Sequence, residues 1–193
     1  MLLFRKKIKS GLYIRKFDRY INADTGGNHS STNDDPSRLN GYLDSSWSGE
    51  GPLNQVNRIG VIANLDTHVI CGIVKPDVTG TWNFRLRCDD AGYLWVGSNA
   101  ESLEWDLSKS NALCDNGGGH PAASVDGSVN LIAGQYYALK AIVGDRGGSD
   151  AFIIDFSGPS GSIWSSSLTD IGRNGSGFYF HNPYAPNGYN LNS

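Results

Sequence analysis

The sequence predicts an all-β chain of short antiparallel strands joined by long structured loops, and three observations carry that reading. The first is turn chemistry. Glycine fills 25 of 193 positions, and with 17 Asn and 22 Ser about a third of the chain favours turns over helix interiors. The second is the choice of acid, 16 Asp against 3 Glu, since Asp belongs to turns and caps whereas Glu is a good helix former. The third is strict alternation. In Trp82–Cys88, residues Trp82, Phe84, Leu86 and Cys88 share one face while Asn83, Arg85 and Arg87 share the other, the pattern of a sheet with one buried and one wet side. Together these exclude a helical bundle and a βαβ protein.

Read in order, Gly11–Phe17 is the first strand and Val69–Val74 the next. Trp82–Cys88 and Tyr93–Val96 follow. Tyr136–Val143 is apolar on both faces apart from Lys140, which predicts a central strand, and Phe152–Phe156 turns Phe152, Ile154 and Phe156 inward. No amphipathic pattern exceeds two turns; Ala100–Leu107 allows one. Loops are read at Asn22–Asn40, Asp44–Asn57, Leu107–Ser128 and Gly144–Asp150, and loops this long in a compact domain serve a function or an interface.

The net charge of −3 is unevenly spread, because residues 1–20 carry seven Lys/Arg and a single acid, Asp18. We divide the chain into a basic N-terminal arm (1–10), a β domain (11–161) and a Gly/Asn/aromatic C-terminal arm (162–193). Both arms are read as docking onto neighbouring subunits. The basic arm lacks interleaved aromatics and any recognised motif, so nucleic acid is not the expected partner. No run of 18 apolar residues exists, so no membrane span is expected, and residues 1–10 lack the apolar core of a secretory signal. Three cysteines, Cys71, Cys88 and Cys114, are an odd count, which points to a reducing birthplace. The expected location is a virion surface or the extracellular space.

The chemistry concentrates in Val78–Gly97. An alternating strand ends in Asp89-Asp90, and the small pair Ala91-Gly92 starts the next one. Adjacent carboxylates repel unless a divalent cation or nearby donors relieve them. Calcium takes six to eight oxygens, and the loop Gly144–Asp150, with Asp145 and Asp150, offers more of them. By composition alone, a solvated polar turn remains the alternative.

Two blocks resemble a known family. Gly72-Ile73-Val74-Lys75-Pro76 forms a hydrophobic-Lys-Pro step. Thr79-Gly80-Thr81-Trp82-Asn83-Phe84, then Asp89-Asp90-Ala91-Gly92 and Leu94-Trp95-Val96-Gly97 follow it. The second block runs Leu131-Ile132-Ala133-Gly134-Gln135-Tyr136-Tyr137, Lys140, a Gly-rich loop, and Phe156-Ser157-Gly158-Pro159. The order and spacing are similar to the protective-antigen "PA-fourteen" domain and its relative in fungal adhesins, the GLEYA domain. The resemblance spans about residues 11–161 and is strongest at 69–97 and 129–161.

The resemblance implies a jelly-roll-like sandwich of two antiparallel sheets. In the lectin members the two aspartates are joined by a cis peptide and hold one Ca2+, which binds vicinal hydroxyls of a sugar. Carried onto this sequence, the metal residues are Asp89, Asp90, Asp145, Arg146 and Gly148, the last two through backbone carbonyls. Asp145 stands where the lectins use an Asn side chain. The ligand-binding residues are Asp89, Asp90, Trp105, Arg146 and Asp150; Trp95, inside a strand, is assigned to the core. The implied function is a non-enzymatic, calcium-dependent carbohydrate-binding module displayed on a larger assembly for adhesion or host recognition. The alternative is a purely structural subunit that uses the same sandwich without sugar.

Other constellations carry less. Cys114 and His120 with Cys71 or Cys88 lack zinc-site spacing. No G-x-S-x-G or H-E-x-x-H motif occurs, and three Glu are few for a glycosidase pair, so no enzyme is expected. Gly117-Gly118-Gly119 follows no strand and opens no helix, so it is not read as a phosphate loop.

Overall fold

The computed structural model describes residues 9–10, 12–17, 49–53, 66–97, 109–159 and 178–180, with side chains in 66–97 and 109–159. Among them run eleven strands. These are β1 (Lys9–Ser10), β2 (Leu12–Phe17), β3 (Gly49–Leu53), β4 (Thr67–Val74), β5 (Gly80–Asp89) and β6 (Ala91–Val96), followed by β7 (Cys114–Asn116), β8 (Ala123–Leu131), β9 (Tyr137–Gly144), β10 (Ala151–Ser157) and β11 (Phe178–Phe180). A single 3-10 turn, Lys109–Asn111, precedes β7, and the described residues include no α-helix.

Two antiparallel sheets face each other. The larger, eight-stranded sheet runs β1-β11-β4-β9-β6-β7, with β2 also on β4 and β3 on β2. The smaller runs β10-β5-β8. The expected all-β sandwich is thus present, and β9 lies between β4 and β6, the central place its two apolar faces predicted. Pieces of both arms join the larger sheet: Lys9 pairs with Phe180, and Phe178 pairs with Val74.

The core fills the space between the sheets. The small sheet contributes Trp82, Phe84, Leu86 and Cys88 from β5, with Phe152, Ile154 and Phe156 from β10. Ile70, Val74, Leu94, Val96, Leu139, Ala141 and Val143 answer from the large sheet. Each large apolar side chain removed from water contributes about 1.5–3 kcal/mol. The small sheet's outer face is wet, as the alternation predicted, and polar rungs cross it. Thr81 Oγ1 donates to Asn130 Oδ1 (2.8 Å), Ser128 Oγ donates to Asn83 Oδ1 (2.7 Å), and Arg85 grips Asp126 through two bonds of 2.7 and 2.8 Å. In the large sheet β4 and β6 are buried on both faces, Trp95 among them at 1% exposure, in keeping with its assignment to the core.

The region read as a loop over Leu107–Ser128 holds the 3-10 turn, β7 and the first part of β8, so Gly117-Gly118-Gly119, read as following no strand, directly follows β7. The alternation of β8 is hard to see because Gly127 takes an inward position. A Cβ there would lie 2.2 Å from the Leu113 carbonyl oxygen, so the close approach of the two chains admits no side chain. The helical turn allowed at Ala100–Leu107 lies outside the described residues.

Candidate functional site

Sheet pairing dictates where the aspartates sit. β5 belongs to the small sheet and β6 to the large one, so Asp89-Asp90 is a crossover between sheets at one end of the sandwich. β9 neighbours β6, and β10 neighbours β5. Ala91 pairs with Gly144 while Asp89 pairs with Ala151, so residues 145–150 cross the same end alongside. β7 also neighbours β6, and β8 neighbours β5. Gly92 pairs with Asn116 and Cys88 with Ala123, which brings residues 117–122 across as a third, flanking crossover. Three loops far apart in sequence therefore stand side by side.

Hydrogen bonds tie them together. The Arg146 backbone N–H donates to Asp90 Oδ2 at 2.7 Å, and the Ala122 N–H donates to Asp89 Oδ2 at 3.2 Å. The Asp89–Asp90 peptide is cis, the geometry that the resemblance implied for lectin members. Within the 145–150 loop, the Gly147 N–H donates to Asp145 Oδ1 at 3.0 Å, and the Asp145 N–H reaches the Asp66 carbonyl at 3.0 Å. Gly147 and Gly148 carry φ of +138° and +110°, so the tight reversal uses conformations that side-chain-bearing residues avoid.

The site's electrostatics are unbalanced. Asp145 is 0% exposed and Asp90 only 8%. Asp145 Oδ2 and Asp150 Oδ1 are buried and receive no hydrogen bond among the described residues. Burial first, then the charges of Asp150 and Asp90, push the Asp145 carboxyl up to about 6 against the pull of the Gly147 N–H. Asp89 is raised as well, by burial and then by Asp90, while the Ala122 N–H and His120 act against the shift.

The donor set is oxygen-only and negative, which fits a hard cation such as Ca2+ and not zinc. No three or more His, Cys, Asp or Glu side chains gather into a metal-holding group among the described residues. A complete shell here would therefore draw on backbone carbonyls as well as carboxylates. Of the residues named from sequence, Asp89, Asp90, Asp145, Arg146, Gly148 and Asp150 all belong to the adjoining crossovers. Trp105 lies outside the described residues.

Sequence reasoning missed the third crossover. Gly119 stands where a Cβ would be 3.1 Å from Arg146 Nη1 and 3.6 Å from Asp90 Oδ1, so the guanidinium passes close over this glycine. The His120 ring nitrogens lie 2.9 Å from the Pro121 carbonyl oxygen and 3.2 Å from that of Asn116. Asn116 anchors the loop from below, donating from Nδ2 to Cys88 Sγ (3.1 Å) and to the Ala123 carbonyl (3.0 Å). The available signal was the Asn-Gly-Gly-Gly-His-Pro run between two apolar stretches, which marks a turn but not its destination.

Residues 67–158 match the GLEYA domain family. The resemblance drawn from the two sequence blocks is borne out, and the matched GLEYA segment holds all three crossovers. Solved structures share the fold. An epithelial adhesin 6 A domain from Candida glabrata, in complex with Galβ1-3GlcNAc, superposes with a TM-score of 0.65 at 18% identity, over 95% of this chain and 92% of that one. The PA14 domain of the antifreeze protein MpAFP gives 0.63 at 15% identity, covering 95% and 97%. A PA14 sugar-binding domain from an RTX adhesin gives 0.59 at 14%, covering 81% and 94%. No curated protein sequence matches the chain.

Proposed function

We propose that this protein is a non-enzymatic carbohydrate-binding domain that holds Ca2+ between Asp89-Asp90 and the 145–150 loop and presents the ion to vicinal hydroxyls of a glycan. The observation that carries the reading is the bond from the Arg146 amide to Asp90 Oδ2, which fastens two acidic crossovers together beside buried carboxylate oxygens that receive no donor. A bound dication would supply that missing counter-charge and polarise sugar hydroxyls. The chain's own residues would do the rest. Asp89 and Asp90 would ligate it, with Asp145 adding negative charge from the adjoining loop, carbonyls of the 146–148 stretch would complete the shell, and the Arg146 side chain and Asp150 would meet the sugar. Adhesins and PA14 domains of this fold that bind glycans support the reading. Surface or extracellular display, on a virion or another assembly, belongs to the same proposal and rests on the composition of segments 1–10 and 162–193.

A glycan array probed with the full chain, once in millimolar calcium and once in chelator, tests this. Binding in calcium that disappears in chelator is the expected result. An array silent in both conditions would sink the lectin reading, and binding indifferent to chelator would sink the metal's part in it.

A further inference from the structure

β8 is the outer strand of the small sheet, and among the described residues no strand lies on its far side. It pairs with β5 over nine consecutive residues without a bulge, a long edge beside the ~5–6 residues of an ordinary strand. Alternate N–H and C=O groups of such an edge point outward and template a further strand. β7 of the large sheet runs beneath this edge and not beside it. The Cys114 thiol donates to the Phe84 carbonyl on the central strand β5 at 3.7 Å, and Asn116 Nδ2 reaches the Ala123 carbonyl at 3.0 Å. Proteins guard open edges with lysines, prolines or bulges. β8 contains no Lys, Arg or Pro, and Arg85 neutralises its one charge, Asp126, through bonds of 2.7 and 2.8 Å. Ser124, Asp126, Ser128 and Asn130 are exposed on the wet face, while Val125 and Val129 pack inward against the core.

The strand is complementary to itself. Gly127 is its middle residue, and an antiparallel copy turned about a two-fold axis there sets Val125 against the partner's Val129 and Ser124 against the partner's Asn130. Asp126 then meets the partner's Ser128. An axis one residue earlier would set the two Asp126 carboxylates directly opposite, which is unfavourable. We infer that β8 is a dimer seam, at which a second copy of this chain adds its own β8 about Gly127 and joins two three-stranded sheets into one of six strands. The Ala123 end of β8 adjoins the aspartate crossover, because Ala123 pairs with Cys88. Antiparallel pairing therefore sends the two aspartate ends of the dimer in opposite directions, separated along the seam by roughly 30 Å of strand. Such a dimer would bridge two glycan-bearing surfaces. The bridging role rests on the proposed sugar site; the seam itself does not.

Analytical ultracentrifugation of the full chain in EDTA, from micromolar to sub-millimolar protein, should show a monomer–dimer equilibrium. Ser128→Asp sets a carboxylate against the partner's Asp126 twice in the seam and should weaken the dimer by about tenfold. Ser128→Lys, which loses the same bond to Asn83, sets an ammonium there and should tighten it. Ser124→Cys combined with Asn130→Cys should give a disulfide-linked dimer on mild oxidation. Neither single variant should, since each cysteine would stand roughly 20 Å from its own copy across the axis. Circular dichroism verifies that each variant is folded. A chain that sediments as a monomer throughout would overturn the inference, and would leave the edge to an extended segment of another protein. A dimer that responds alike to both Ser128 variants, or a double-cysteine variant that does not cross-link, would place the interface elsewhere and overturn it too. The calcium-dependent array is read separately, so the seam and the sugar site can each fail alone.

Discussion

The Arg146 backbone amide donates to Asp90 Oδ2 over 2.7 Å and so joins two crossovers that lie 56 residues apart in sequence. Asp90 thereby holds the loop that completes the candidate cation site. Asp89→Asn together with Asp90→Asn keeps oxygen acceptors for the Ala122 and Arg146 amides but removes both charges. The double variant should stay folded, because the pair sits at the end of the sandwich outside the core cluster. Wild type should gain about 2.7 kcal/mol of stability at a hundredfold excess of calcium over Kd, and the variant none. Thermal melts in calcium and in chelator check this, and an unchanged wild-type midpoint would remove the ion from the site.

Asp145 sets a pH dependence in the metal-free protein. Its carboxyl is pushed up to about 6 in the fold, against 3.8 ordinarily, first by burial. The folded state therefore binds more protons than the unfolded chain between these values. This group's contribution to stability should be fullest below pH 4, fall as pH rises through 6, and level off above. Asp89 is shifted in the same direction and adds to the slope. Asp145→Asn should flatten this profile in chelator and raise stability at pH 7 by about 1–3 kcal/mol. Denaturant melts of both proteins from pH 4 to 8 would show it, and parallel profiles would count against the buried, proton-holding carboxyl.

Gly127 should tolerate no side chain. In Gly127→Ala the new methyl would meet the Leu113 carbonyl oxygen at 2.2 Å, and backbone cannot rotate aside as a side chain can. We expect a loss of about 1–3 kcal/mol, or several degrees in melting temperature. A variant as stable as wild type would show that β8 can shift away from Leu113 at little cost.

That glycine also explains what the sequence could reveal. Strands with alternating or continuous apolar patterns, Trp82–Cys88 and Tyr136–Val143 among them, were readable because burial itself writes the period. β8 offers inward Val125, Val129 and Leu131 but breaks at Gly127, whose requirement comes from a partner 14 residues earlier. β7 has only three residues, too few for a period. At the site, the Asp89-Asp90 turn and the 145–150 loop were legible from local residue types. The 117–122 crossover was not, because its place follows from which strands pair, a long-range property that no local pattern carries.

The thiols of Cys88 and Cys114 should be inert in the native protein. Both are 0% exposed, and burial pushes each up to about 12. At pH 8 roughly one in ten thousand would be thiolate, the reactive form. A disulfide-exchange reagent such as Ellman's should label neither until the chain unfolds, whereas guanidinium should expose both within the mixing time. Fast labelling in native buffer, mapped to either position by mass spectrometry, would contradict the packed core around them.

Substitution at Gly119 should separate the proposed ion binding from ligand binding. Its position lies 3.1 Å from Arg146 Nη1 and 3.6 Å from Asp90 Oδ1, measured from where a Cβ would be. Gly119→Val would push a branched side chain into the space the guanidinium occupies. The guanidinium ends a flexible side chain and can swing away, so the cost falls on its placement and not on the fold. The Asp90 bond to the Arg146 amide involves backbone, and it should survive. The variant should therefore keep the calcium-dependent rise in melting temperature while its glycan affinity drops by about tenfold, the loss of one good polar contact of ~1.4 kcal/mol. Paired melts and glycan titrations in calcium measure both quantities on the same sample. Loss of the calcium shift would mean that the 117–122 crossover shapes the ion site itself. Unaltered glycan affinity would mean that the Arg146 side chain makes no contact with the sugar.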